Sequence, residues 1–281
     1  MTDKTTTSHS SPTAPDAPGG KALRNGLLIT GSALVAGFLV LGGVQFAQAS
    51  TGGDDSGRYT ADGDFSALDI DTSAANVSVR YGDVDEVQLD FDSAGAPLRF
   101  DQEQRGDTLH VTVKSRGWWV FGLLSGVDSA SLDVVLPESL EPVALDIGSS
   151  AGEVLVDGDF AAITIDSSAG NIELAGSAAS LRSETSAGNI TGLGLDVSGE
   201  VLSESSAGTV RLEFVTLPSA IRMGSSAGDV RVALPDGEYE IRTDTSAGGV
   251  DQELASTPGA DRVYSFESSA GTITLERSPG R

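Results

Sequence analysis

One tetrapeptide, Ser/Thr-Ser-Ala-Gly, recurs in register through the second half of this chain and leaves few folds open. Its Ala stands at 151, 169, 187, 207, 227, 247 and 270, at spacings of 18, 18, 20, 20, 20 and 23 residues. An eighth copy, Thr72-Ser73-Ala74-Ala75, lies upstream with its Gly replaced by Ala. Self-similarity at a fixed period near 20 residues is the mark of a stacked repeat.

Aligned on the Ala, two columns are apolar in every copy. Six residues before it stand Leu68, Leu145, Ile163, Leu181, Val201, Ile221, Ile241 and Tyr264. Three residues after it stand Val77, Val154, Ile172, Ile190, Val210, Val230, Val250 and Ile273. Two flanking columns, four before and five after, are apolar with exceptions: Ser183, Ser203 and Thr243 in one, Gly192 and Gln252 in the other. Apolar residues two apart in short β-branched runs have the period of a half-buried strand. Each repeat therefore reads as strand, turn at Ser-Ala-Gly, strand, turn, with Gly giving a positive φ or a close backbone approach and Ala fitting a tight corner.

A single repeat cannot stand alone. Ordering its backbone costs about 1–2 kcal/mol per residue, and four buried apolar side chains return only about 1.5–3 kcal/mol each. Stacking at about 4.8 Å per rung turns the apolar columns into inner ladders. The chain is thus expected to be all-β, with residues 142–278 a parallel β-solenoid of about seven rungs of 18–23 residues.

Residues 61–141 are less regular. Strands are expected at 66–71, 76–80, 86–92, 108–114 and 131–136, forming a β-rich lead-in that packs on the first rung and shields its edge. Ser93-Ala94-Gly95 imitates the repeat, but Gln88 and Asp90 occupy its would-be apolar columns. The last rung, with Tyr264 and Phe266 facing inward and the longest spacing, reads as the terminal cap.

The N-terminal 50 residues have a different character. Residues 1–25 are Thr/Ser/Pro-rich and read as a disordered cytoplasmic tail. No charge occurs from Asn25 to Gly53, and residues 27–44 are apolar except for Thr30 and Ser32. Eighteen residues of helix span about 27 Å, close to the hydrocarbon thickness of a bilayer. Segment 26–47 is therefore expected to be a transmembrane helix or a signal segment, followed by a linker at 48–60. Lys21 and Arg24 precede it, so the positive-inside rule leaves the N-terminus cytoplasmic and residues 50–281 extracellular, in a single-pass protein of the plasma membrane. Ala47-Gln48-Ala49 also fits a cleavage site; cutting after Ala49 would make the protein secreted. Both readings export the repeat.

An array of SSAGNI, TSAGNI, SSAGTV and SSAGDV motifs follows an LDVVLP strand, behind one export segment. This resembles the bacterial putative-adhesin family of β-strand-repeat proteins, a family of unknown function common in Gram-positive envelopes. The resemblance covers about residues 60–278 and implies architecture and envelope location. It offers no catalytic residues to carry over. Some members accompany envelope-stress signalling systems, so it also implies an accessory or regulatory role as an alternative to adhesion.

Composition narrows the chemistry. The 281 residues include no Cys and only His9 and His110, so thiol chemistry is impossible and no His-based metal centre is expected. A net charge of −24 opposes nucleic acid as a partner. His110, in an alternating run, reads as a surface residue. The Ser directly before each Ala lacks a repeating base, so it reads as a turn hydroxyl bonding the backbone rather than a nucleophile. Carboxylates are spread evenly, and no pair is singled out for glycoside hydrolysis. No cofactor and no catalytic residue are expected, and a carbohydrate-active enzyme is the distant alternative.

Two features are left as candidate contact sites. Three residues before the Ala stands an outward column with Asp166, Glu184, Glu204, Asp244 and Glu267, which reads either as a solvated face or as a ladder for weak Ca²⁺ or polycation binding. Arg182, Arg222 and Arg242 lie two positions earlier and are expected to offset part of its repulsion. Trp118, Trp119, Phe121, Leu123 and Leu124 form an aromatic and apolar loop that reads either as a plug over the open core or as a partner contact. The expected partners are the membrane through residues 27–44, and a cell-wall polymer or envelope protein through the exported part.

Overall fold

The computed structural model describes residues 56–61, 65–115 and 129–278. The strands, in chain order, are β1 Gly57–Ala61, β2 Ala67–Thr72, β3 Asn76–Gly82, β4 Val87–Asp92, β5 Leu98–Arg105, β6 Thr108–Ser115, β7 Ser131–Pro137, β8 Val143–Ser149, β9 Val154–Ala169 and β10 Ile172–Ala178. They continue as β11 Leu181–Ala187, β12 Ile190–Val197, β13 Glu200–Ala207, β14 Val210–Phe214, β15 Ala220–Ala227, β16 Val230–Leu234, β17 Glu240–Ala247, β18 Val250–Gln252, β19 Val263–Ala270 and β20 Ile273–Arg277. All belong to one hydrogen-bonded sheet wound into a solenoid.

Two parallel ladders make the winding. One runs β6, β2, β8, the second half of β9, β11, β13, β15, β19, β17. The other runs β7, β3, the first half of β9, β10, β12, β14, β16, β20, β18. Pairing is in register on the repeat: Leu181 lies between Ile163 and Val201, and Ile190 between Ile172 and Val210. Both always-apolar columns are buried except in the rung of β17 and β18.

Among the described residues nine rungs stand, and seven of them lie within residues 142–278, the number expected there. The segment expected to lie over the first rung contributes two of them, β2 with β3 and β6 with β7. Only its antiparallel strands act as a cover. β5 pairs with β6, β4 with β7, and β1 with β4. Their aromatic rings close that end of the core: Tyr59 stacks on Phe100 at 4.3 Å between centroids, and Phe100 on Phe91 at 5.6 Å. β1 and β5 were not anticipated, because their alternation is broken by charged residues on a single-layer cover.

The order of rungs departs from the order of the chain at both ends. β2 with β3 lies inside β6 with β7, although it comes first. At the other end β19 with β20 is inserted between β15–β16 and β17–β18. The last rung in sequence is therefore an interior rung and not the expected terminal cap; β17 and β18 hold the end. Residues 253–262, the insertion that lengthens the final spacing, carry the chain back over one rung.

The exceptions in the apolar columns have local reasons. Gly192 leaves a slot that Leu195 fills: a Cβ there would lie 2.6 Å from the Leu195 side chain. Thr243 and Gln252 sit on the end rung and are exposed. Ser183 and Ser203 are fully buried, stacked, and share a 2.9 Å hydrogen bond. Ser183→Ala should thus cost about 1–3 kcal/mol, since it orphans the Ser203 hydroxyl. The double Ser→Ala variant should cost little more than either single one, a coupling that a denaturant double-mutant cycle measures.

Candidate functional site

The turn column is built by backbone contact between rungs. Gly170 has φ +139°, and a Cβ on it would lie 1.9 Å from the Gly152 carbonyl oxygen, so only glycine lets the stacked turns approach. The Ala before each Gly is exposed at Ala169, Ala187, Ala207 and Ala227, unlike the tight fit expected. Its carbonyl is the functional part: Gly188 N–H donates to Ala207 O at 3.0 Å, and Gly208 N–H to Ala227 O at 3.0 Å.

The hydroxyls that bond the turn backbone are one position earlier than expected. Ser168, Ser186, Ser206 and Ser226 point to solvent. The buried neighbours do the work: Ser205 donates to Gly188 O at 3.1 Å, Ser225 to Gly208 O at 2.9 Å and Ser268 to Gly228 O at 3.1 Å. A further ladder was missed. Asn171 Oδ1 accepts from Asn189 N–H at 3.0 Å, Asn189 Oδ1 from Thr209 N–H at 2.9 Å, and Asp229 Oδ1 from Thr272 N–H at 2.9 Å. The signal was the recurring Asn or Asp two residues after the Ala. Side chains thus fasten each turn to the next, and these residues are structural.

The outward acidic column is stacked in register. Its order is Thr112, Asp71, Gly148, Asp166, Glu184, Glu204, Gly224, Glu267, Asp244. Asp166, Glu184 and Glu204 are consecutive, while Gly224 separates them from Glu267 and Asp244. The neighbouring column adds Asp69 and Asp146, which the repeat alignment had not singled out. His110 Nδ1 lies 2.9 Å from Asp69 Oδ2 at the surface of this stripe.

Like charges one rung apart leave their mark. Glu204 is pushed above its ordinary carboxylate value by burial and then by Glu184, with Arg182 pulling the other way. Asp146 is pushed up by loss of water, then by Asp69 and Asp166. Of the three arginines, Arg182 alone bonds an acid of the stripe, Glu184; Arg222 pairs with Glu200 at 2.9 Å and Arg242 with Glu240 at 2.8 Å. The offset is therefore confined to Arg182, which bonds Glu184 and reaches Glu204 one rung away. Because a raised carboxyl weakens the fold once it ionises, Glu204→Gln should stabilise the protein at pH 7 by about 0.5 kcal/mol or less after solvent screening. The gain should fade as pH falls through the raised folded-state value and vanish below the ordinary Glu value, where Glu204 is protonated in both states; urea midpoints at pH 7 and pH 4 bracket most of this loss.

The stripe is a line of charge. Among the described residues no three His, Asp or Glu converge to hold a metal ion. The cavity between Ile163, Leu174, Leu181, Leu195 and Val197 has about 10 Å³, room for one water at most. Trp118, Trp119, Phe121, Leu123 and Leu124 lie outside the described residues, as do residues 27–44. Among the described residues no helix is long and apolar enough to cross a membrane.

These features define a class: a parallel β-solenoid with turns locked by glycine and side-chain ladders. Residues 65–195 match the Toastrack model, DUF4097, and over that span the chain is similar to this family of unknown function. The matched span ends at Leu195, inside an array that continues in register to Arg277. Among solved structures, the chain is similar to a putative cell adhesion protein from Clostridium sporogenes, at 8% identity and a TM-score of 0.41, over 80% of this chain and 100% of that one. It is also similar to a putative adhesin from Bacteroides fragilis, at 13% identity and a TM-score of 0.41, over 78% and 97%. No curated protein matches the sequence.

Proposed function

We propose that this protein is an exported, membrane-anchored envelope solenoid that works by surface contact and not by turnover. One observation carries the reading: Asp166, Glu184 and Glu204 stack on consecutive rungs of a parallel ladder, so one face presents carboxylates at the spacing of the rungs. Such a face suits an extended cationic partner, a cell-wall polymer or an envelope protein, that meets several rungs at once. Residues 27–44 tether it to the membrane in this reading, and the Trp118–Trp119 loop is its second contact point. Calcium would screen the stripe without being caged by it.

The test is capture of cell-envelope components by the full chain in mild detergent, with calcium and with chelator. Glu184→Gln/Glu204→Gln and Trp118→Ala/Trp119→Ala variants run beside it. Retention of a defined polymer or protein that drops at least several-fold in the first variant supports the stripe. Loss only in the second moves the site to the loop. No specific retention in any arm overturns the contact reading and leaves the accessory role in envelope-stress signalling ahead.

A further inference from the structure

The two ends of the solenoid are unlike. One is covered by antiparallel strands and an aromatic stack, as described. The other is the rung of β17 and β18, whose outer edge pairs with no strand among the described residues. Positions buried in the interior rungs are partly or fully exposed there: Ile241, Thr243, Thr245 and Val250, the last with 42% of its surface open.

The free backbone groups of that edge can be placed from the ladder. In an interior rung the N–H six before the Ala reaches forward to the next rung, as Ile163 N–H does to Ser180 O at 3.0 Å. The N–H seven before reaches back, as Glu240 N–H does to Arg262 O at 2.8 Å. On β17, Ile241, Thr243 and Thr245 therefore aim their N–H and C=O groups at the open end. Ser256 Oγ accepts from Ile241 N–H at 2.9 Å. The groups of Thr243 and Thr245 have no partner among the described residues. Unpaired strand edges recruit other strands unless blocked.

The side chains of β17 say which strand fits. If a second β17 runs antiparallel to the first about a two-fold axis at Thr243, Thr243 faces Thr243 and Ile241 faces Thr245, so core-side positions cover core-side positions. On the outer face Arg242 then stands opposite Asp244 of the other copy, and Asp244 opposite its Arg242. Opposite charges directly across an antiparallel pair attract, and here both contacts form at once. Arg242 is exposed and paired within its own chain to Glu240 at 2.8 Å, an exposed partnership that yields readily. β18 adds no attraction, because Asp251 at its centre would face its own copy.

We propose that the β17 edge is a self-association site, at which a second copy of this chain docks end to end through antiparallel β17–β17 pairing, with reciprocal Arg242–Asp244 contacts. The union is isologous, so it closes at two copies, and the covered end of each solenoid stays free.

The chain lacks cysteine, so one introduced thiol reports the contact. In the full chain in mild detergent, Thr243→Cys should give a dimer with a short bis-maleimide cross-linker, and Glu173→Cys, exposed in mid-array, should give none. Arg242→Asp and Asp244→Arg, each in the Thr243→Cys background, should each lose the cross-link at least tenfold. Mixed one to one, the two charge variants should recover it, because the mixed pair restores opposite charges at both contacts. That recovery also shows both variants are folded. Equal cross-linking at Thr243→Cys and Glu173→Cys overturns the proposal, as does a cross-link indifferent to both charge reversals, or no Thr243→Cys dimer at any concentration up to about 1 mM.

Discussion

Gly188→Ala should be among the most damaging single-methyl changes this protein can suffer, with an expected loss on the order of 3–5 kcal/mol. Two effects add. Gly188 sits at φ +149°, where an L side chain is strained. The new Cβ would also lie 2.0 Å from the Gly170 carbonyl oxygen, and that oxygen belongs to a turn fixed by its own rung. Relief requires these two turns to part, which breaks the Gly170 N–H to Ala187 O bond and the Asn189 N–H to Asn171 Oδ1 bond together. Gly95→Ala is the matched control. It too has positive φ, +75°, but its added Cβ meets nothing within 4 Å, so it should lose only about 1 kcal/mol of backbone strain. Chemical denaturation of both variants measures the difference; near-equal losses would mean that the stacked turns are not in contact.

The second large effect follows from the exchanged rungs. Tyr264→Ala should cost about 3–5 kcal/mol, although Tyr264 lies near the end of the chain, where substitutions are usually mild. Its ring is fully buried, stacks on Tyr239 at 5.1 Å, and its hydroxyl donates to Pro218 O at 2.7 Å. Ile241→Ala, in the same column one rung earlier in sequence, should cost less than about 1 kcal/mol, because Ile241 is only partly buried. Amide exchange should show the same inversion, with β17 and β18 exchanging before β19 and β20. Faster exchange at β19 than at β17 would place the rungs back in chain order.

The repeat made the winding legible. Eight copies that agree in two columns specify a parallel stack and its register, since each column is one ladder of the core. The rung of β6 and β7 was hidden because its two strands are joined by residues 116–128 and carry no Ser-Ala-Gly turn. The exchange of rungs was hidden for a deeper reason: rungs with the same columns fit the same slots, so periodicity cannot order them. Only the departures carry that information. Thr243 and Gln252 put polar groups at core positions, and the end of the stack is where such residues are tolerated. At the candidate site the acidic column was legible. Its reinforcement by Asp69 and Asp146 was not, because those residues stand in a column that changes character along the array.

The exchanged ends also bear on how such a molecule changes length over evolutionary time. A solenoid whose termini are its outermost coils can gain a unit by duplication at either end. Here the coil of β19 and β20 is held between two others, so a unit following it in sequence would start from the interior with no vacant slot beside it. New units fit without rearrangement in the regular middle, between β10 and β16, where each coil follows its predecessor. The neighbouring spacings of 18 and 20 residues fall in that stretch, which makes it the natural place for recombination to lengthen or shorten the array.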